Sequence, residues 1–280
     1  MNNDLENLCI HTMTNKPWSI EECLTNYGRA GIGGVSIWRN VVEGKNLKEV
    51  SRMVRSEGLS LVSYVRGGFF PAVDVAERQK AIDENFKIID EAYELGAPLI
   101  VLVCGAVPGQ PLEISRGQIL DGIATCLDHA SEAGVKLGIE PLHPMYSDDR
   151  SAINSLGLAN TMAIQLDHDA IGVTLDAYHT WWDPQLEKEI MRSGLHNKLF
   201  SYHICDWKTP TLDLLNDRGL MGEGCIDLKG IAAVVEKSGF HGFHEVEIFS
   251  NRYWESDQNQ FLDKIISAWR KLNVSEETEE

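Results

Sequence analysis

Six cysteines are present (Cys9, Cys23, Cys104, Cys126, Cys205 and Cys225), but no two are spaced as Cys-x-x-Cys. The redox and zinc motifs built on that spacing are therefore excluded, and unpaired thiols fit a reduced, cytoplasmic protein. No stretch approaches the roughly 18 uninterrupted apolar residues of a membrane-crossing helix. The amino terminus, MNNDLENL, lacks the basic region followed by an apolar stretch that marks an export signal. Basic residues are in deficit, 25 against 42 acidic, for a net charge of −17. That charge repels phosphate backbones and no basic stripe overrides it, which argues against nucleic acid as a partner. No linker, low-complexity tract or charge block interrupts the chain before the acidic run Glu276 to Glu280. One domain over 1–275 with a short acidic tail, 276–280, is expected.

With 280 residues and 43% hydrophobic content, the chain has enough apolar material for two average domains or one α/β barrel. Its internal pattern favours the barrel. Amphipathic segments repeatedly close on a glycine and are followed by an apolar, β-branched run: RAGIGGVSIW, SEGLSLVSYV, ELGAPLIVLV, EAGVKLGIEP and KSGFHGFHEVEI. Glycine takes the left-handed conformation that ends a helix, and the β-branched run starts a strand. Eight strands are predicted: Cys9–Met13, Gly34–Trp38, Leu61–Val65, Leu99–Cys104, Lys136–Glu140, Ile171–Asp176, Phe200–Cys205 and Phe243–Phe249. Helices are predicted between and after them at Ser19–Arg29, Leu47–Ser56, Val75–Leu95, Arg116–Ala133, Leu156–Gln165, Pro184–Arg192, Leu228–Lys237 and Gln260–Leu272. Eight βα units of this size predict a (β/α)8 barrel. A doubly wound nucleotide fold is disfavoured, because CIHTMTNKPW stands where its glycine-rich phosphate loop would be.

Four stretches place a carboxylate or imidazole at the end of a predicted strand: GIEPLH (138–143), TLDAYH (174–179), SYHICD (201–206) and HEVEIF (244–249). The barrel brings strand ends together at one mouth, so Glu140, Asp176, His203 and Glu247 form a candidate divalent-metal site of mixed oxygen and nitrogen donors. Glu245 lies on the same strand face as Glu247 and competes with it, a supporting role being favoured for Glu245. His11 and five other histidines receive no role.

These motifs resemble the xylose isomerase-like barrels, the sugar phosphate isomerase/epimerase group that includes ketose 3-epimerases. The resemblance covers nearly the whole chain and is most specific from Gly138 onward. It implies one divalent ion, manganese first and magnesium, cobalt or zinc next, held by Glu140, Asp176, His203 and Glu247. It also implies that His179 and Arg218 contact substrate and that Glu140 and Glu247 exchange protons. Homo-oligomers are expected at the level of the family. The chain departs from the pattern in two loops, DWKTPTLDLLNDRGLMGEG and GIEPLHPMYSDDRSAIN; the second offers His143, Tyr146, Asp149 and Arg150 as pocket lining.

The chemistry such a site supports is removal of a proton next to a carbonyl, with a dication stabilising the enediolate charge. The expected function is isomerisation or epimerisation of a small sugar or sugar-derived keto compound. Arg66 could hold a terminal oxygen, carboxylate or phosphate, although a structural salt bridge is the favoured reading of it. Trp38 and other tryptophans near strand ends could wall the pocket. A dehydratase or lyase of the same barrel group is the nearest alternative. Less favoured are an endonuclease-IV-like phosphodiesterase and a non-catalytic sugar-binding barrel.

Overall fold

The computed structural model describes residues 4–273, so the acidic run 276–280 lies outside the described residues. Eight parallel strands, Leu8–His11, Gly34–Trp38, Ser60–Gly68, Leu99–Val103, Lys136–Glu140, Ile171–Asp176, Leu199–Ile204 and His244–Val246, close into a barrel in chain order. The ring is sealed where the first strand meets the last, with Leu8 opposite His244 and Ile10 opposite Val246. Helices follow the strands in turn: Ile20–Ala30, Leu47–Ser56, Val75–Leu95, Leu112–Glu132, Leu156–Leu166, Leu186–Leu195, Leu228–Lys237 and Gln258–Asn273.

Local chemistry explains the repeat. In the first helix, Ser19 accepts from the Glu22 N–H while Glu22 accepts from the Ser19 N–H. This reciprocal cap satisfies two backbone donors that the helix itself leaves free. Ile20, Cys23, Leu24 and Tyr27 then form one buried stripe. The glycines of the five predicted helix-to-strand junctions, Gly31, Gly58, Gly96, Gly134 and Gly239, all have φ between 67° and 89°. A residue with a Cβ would be strained there.

Several boundaries move, by up to four residues. The fourth helix starts at Leu112, four residues before the predicted Arg116, because its first turn is anchored by the Pro111 carbonyl. The eighth strand pairs only over His244–Val246, yet Glu247 N still donates to the Ile204 carbonyl and Ile248 N to Thr14 Oγ1. The extended run therefore continues, held by a neighbouring carbonyl and a side chain, and carries Glu247 to the rim.

Alternation sets the two sides of the barrel wall. On the sixth strand Thr174 and Asp176 alternate with Val173 and Leu175, and on the seventh Ser201 and His203 alternate with Tyr202 and Ile204. The apolar set joins the core shared with the helices, and the polar set is buried inside the barrel. Space inside is short: a Cβ on Gly138 would lie 2.5 Å from Thr174 Oγ1. The six cysteines are unpaired, and five of them are buried. Among the described residues no helix is long and apolar enough to cross a membrane.

Candidate metal centre

The C-terminal ends of four neighbouring strands bring Glu140, Asp176, His203 and Glu247 together, with one donor atom of each inside a 4.8 Å cluster. All four side chains are buried. Register explains the meeting, since Asp176 pairs with His203 across the sixth and seventh strands and Glu245 pairs with His203 across the seventh and eighth. Glu247, two residues beyond Glu245, therefore reaches the same rim. His203 Nδ1 lies 3.2 Å from Glu140 Oε1, yet neither atom has a well-formed hydrogen bond among the described residues. A buried carboxylate oxygen and a buried imidazole nitrogen facing each other without a formed hydrogen bond are what a bound cation would relieve, the ring then being neutral. The donor set, three carboxylates and one imidazole, suits manganese, magnesium, cobalt or zinc.

Charge at the site is unevenly settled. Burial, opposed by Arg218 and reinforced by the carboxylates of Glu247 and Glu140, pushes Asp176 up to about 7. Burial also works against a charge on Glu247, but His11, Arg218 and His203 hold its carboxyl well below the ordinary value. For His203, burial is outweighed by Glu245, Glu140 and Glu247, which raise it to about 10.

Arg218 is delivered by a two-stranded ribbon in which Asp206–Trp207 pairs antiparallel with Arg218–Gly219. The preceding Asp217 pairs with Lys208 rather than with its neighbour Arg218. Arg218 Nη1 donates to Asp176 Oδ2 at 3.1 Å and to Glu247 Oε2 at 2.9 Å, and Nη2 lies 3.2 Å from His179 Nε2. Burial and the Arg218 charge keep His179 well below its usual value, so the neutral ring accepts from the guanidinium.

The other predicted residues divide. Trp38, Arg66, Tyr146, Arg150, His179 and Arg218 line a cavity of about 860 Å³ that also contains Glu140 and Glu247. His143 does not line it; that ring lies against Trp207 and Trp182, and its Nδ1 accepts from Met145 N. The favoured salt bridge of Arg66 is replaced by aromatic contact. Its guanidinium carbon sits 4.6 Å from the Phe69 ring centre and 5.8 Å from that of Trp38.

Glu245 lies deeper than Glu247. It accepts from Ser36 Oγ at 2.6 Å, from Ser63 Oγ at 3.2 Å and from Ser201 Oγ, and lies 3.1 Å from His11 Nε2. Against its burial, His203, His11 and Ser201 bring its carboxyl down to about 2. Sequence reasoning left out His11, whose Nδ1 lies 3.1 Å from Glu247 Oε1 and 3.2 Å from the Trp38 indole nitrogen. That nitrogen either accepts the indole proton or, when protonated, donates to Glu247. The missed signal was positional: CIHT places His11 at the end of the first strand, as the four motifs place their donors.

An eight-stranded parallel barrel with donors converging from strands five to eight defines a class. Residues 26–271 match the xylose isomerase-like TIM barrel description, and the chain belongs to that family. Protein SMc04130 of Sinorhizobium meliloti 1021 has a similar crystal structure, at 43% identity and a TM-score of 0.93 over 97% of this chain and 100% of that one. The IolI protein, crystallised with a zinc atom, shares the fold at 20% identity and a TM-score of 0.83, covering 95% of this chain and 97% of that one. A 3-dehydroshikimate dehydratase of Pseudomonas putida is 26% identical over 84% of this chain, which spans 37% of that enzyme. An inosose isomerase of Bacillus licheniformis is 23% identical over 65% of this chain and 63% of its own length. The related proteins thus include sugar isomerases and dehydratases.

Proposed function

We propose that this protein is a divalent-metal-dependent isomerase or epimerase of a small sugar or sugar-derived keto compound. Glu140, Asp176, His203 and Glu247 would hold the ion, with manganese the first candidate. The observation that carries the proposal is the 4.8 Å convergence of their donor atoms, with Glu140 Oε1 and His203 Nδ1 left unsatisfied. A dication bound there supplies Lewis acidity toward substrate oxygens.

The chain's own residues do the rest. Glu140 and Glu247 present carboxylate oxygens to the cavity, where either can take a proton from a carbon next to a carbonyl. Glu247, held in its charged form by His11 and Arg218, is fit to accept rather than donate in the resting site. His179 and Arg218 orient substrate hydroxyls, and Trp38, Phe69 and Phe249 exclude water from one side. Beneath this rim Glu245 is buried and bound by Ser36, Ser63 and Ser201.

A second reading, dehydration, rests on the match to the 3-dehydroshikimate dehydratase across 84% of this chain. It needs the same proton abstraction followed by loss of a β-hydroxyl to an acid. Incubation with candidate keto sugars and sugar-derived keto acids in deuterated water separates the two. Deuterium at carbon in a product of unchanged composition supports isomerisation, and loss of water supports the dehydratase. If no candidate incorporates deuterium or loses water in the presence of manganese, magnesium, cobalt or zinc, the proposal fails.

A further inference from the structure

Four arginines line the mouth cavity, and two are neutralised. Arg39 pairs with Glu84 and Glu91. Arg218 is satisfied by Asp176 and Glu247. Arg66 lies over Phe69 and Trp38 instead of against a carboxylate. Among the described residues Arg150 touches only Asp149 of the acidic groups, at 3.9 Å, and Asp149 is 57% exposed, so water screens that pair. Arg150 otherwise lies over the Tyr146 ring. Burial first, and the neighbouring Arg150 charge second, weaken the hold of Arg66 on its proton against the pull of Glu140 and Glu247.

Two cationic forks sharing one cavity repel each other until an anion joins them. The metal-bound rim does not supply it. A dication and Arg218 carry three positive charges, matching the three carboxylates of Glu140, Asp176 and Glu247. Arg66 and Arg150 are then surplus positive charge, on a protein whose net charge of −17 otherwise repels anions. A neutral sugar gives these guanidiniums only hydroxyl acceptors, whereas a carboxylate matches the fork with two charged oxygens. The aromatic wall of Trp38 and Phe69 thins the water around such a pair and strengthens it.

We propose that Arg66 and Arg150 form a carboxylate subsite, so that the substrate is a small polyhydroxy or keto acid rather than a neutral sugar. This deepens the metal-site reading and rests on it: one end of the molecule meets the rim carboxylates and ion, and the acid group meets the arginines across the cavity.

Calorimetric titration of the manganese-loaded protein tests this with ring-matched pairs: D-glucuronate against D-glucose, and quinate against myo-inositol. At least one acid is expected to bind about tenfold or more tighter than its neutral counterpart. Arg66→Gln and Arg150→Gln should each remove most of that preference, Arg66→Lys should keep part of it, and all three should take up manganese as the parent does. Equal affinity for acids and neutral partners, or an acid preference unchanged in both glutamine variants, overturns the subsite. Tighter binding of D-glucose 6-phosphate than of either acid overturns the carboxylate assignment in favour of a phosphate. Failure of the parent protein to take up manganese would instead count against the metal site, so the two failures are told apart on the same samples.

Discussion

Glu245 and Glu247 share one face of the last barrel strand but stand at different depths. Glu245 is enclosed by three serine hydroxyls and His11, while Glu247 faces the cavity and the donor cluster. His11 spans them, 3.1 Å from an oxygen of each. The inner carboxylate thus stands as a buried anion beneath the candidate donor cluster, facing His203 Nε2 at 3.7 Å. Such outer partners orient a ligating imidazole and tune its basicity.

Replacing Glu245 with Gln keeps the shape and removes the charge. The variant should fold, and its manganese affinity by calorimetry should fall about 10- to 100-fold. Glu247→Gln should lose measurable binding under the same conditions. Unchanged affinity in Glu245→Gln would show that the inner carboxylate serves packing alone.

Arg218 carries the only guanidinium within salt-bridge distance of Asp176 and Glu247 among the described residues. Removing one partner of a buried ion pair strands the other charges, a cost of about 3–5 kcal/mol. Arg218→Met should therefore melt well below the parent without metal, and manganese should recover more of its stability than it adds to the parent. Equal manganese protection of both proteins contradicts this account of the site's charge balance.

Gly138 is required by space rather than by backbone angle, because a Cβ would press on Thr174 Oγ1. Gly138→Ala should cost about 1–3 kcal/mol in chemical denaturation. Thr174→Ala in the same chain should return part of that loss, while Thr174→Ser, which keeps the oxygen, should not.

Elsewhere in the mouth cavity, Arg39 grips Glu91 through Nε at 2.6 Å and Nη2 at 2.9 Å, with the Tyr64 hydroxyl 3.0 Å away. Burial opposes the charge on Glu91, but Arg39 holds its carboxyl below the ordinary 4.5. A group depressed on folding stabilises the fold above its unfolded value and loses that contribution as pH falls through its folded value. Glu91→Gln should cost about 1 kcal/mol at pH 7, given partial exposure, and the gap should narrow as pH falls below the ordinary value of 4.5. A gap that does not narrow as the protein is acidified would assign it to packing.

The barrel was legible because its signals are local: glycine-closed helices, capping residues and apolar runs of strand length. The four rim donors were legible for the same reason, each ending such a run. What stayed hidden depends on strands far apart in sequence. His11 meets Glu245 across 234 positions, and its role follows from the pairing that seals the ring. Arg66 drew a salt-bridge expectation because an isolated arginine is usually paired; that its neighbours are Phe69 and Trp38 depends on how the second and third strands align. His143 looked like pocket lining from its place after Glu140, but the turn at Pro144–Tyr146 directs it toward Trp207 and Trp182.

The central claim is that one dication sits among Glu140, Asp176, His203 and Glu247. Elemental analysis of protein purified without chelators, then stripped and titrated with manganese, addresses it directly. About one ion per chain is expected, with a rise in melting temperature on loading and neither effect in Glu140→Gln. Absence of bound metal in the parent, together with no uptake and no thermal protection from manganese, magnesium, cobalt or zinc, would contradict it.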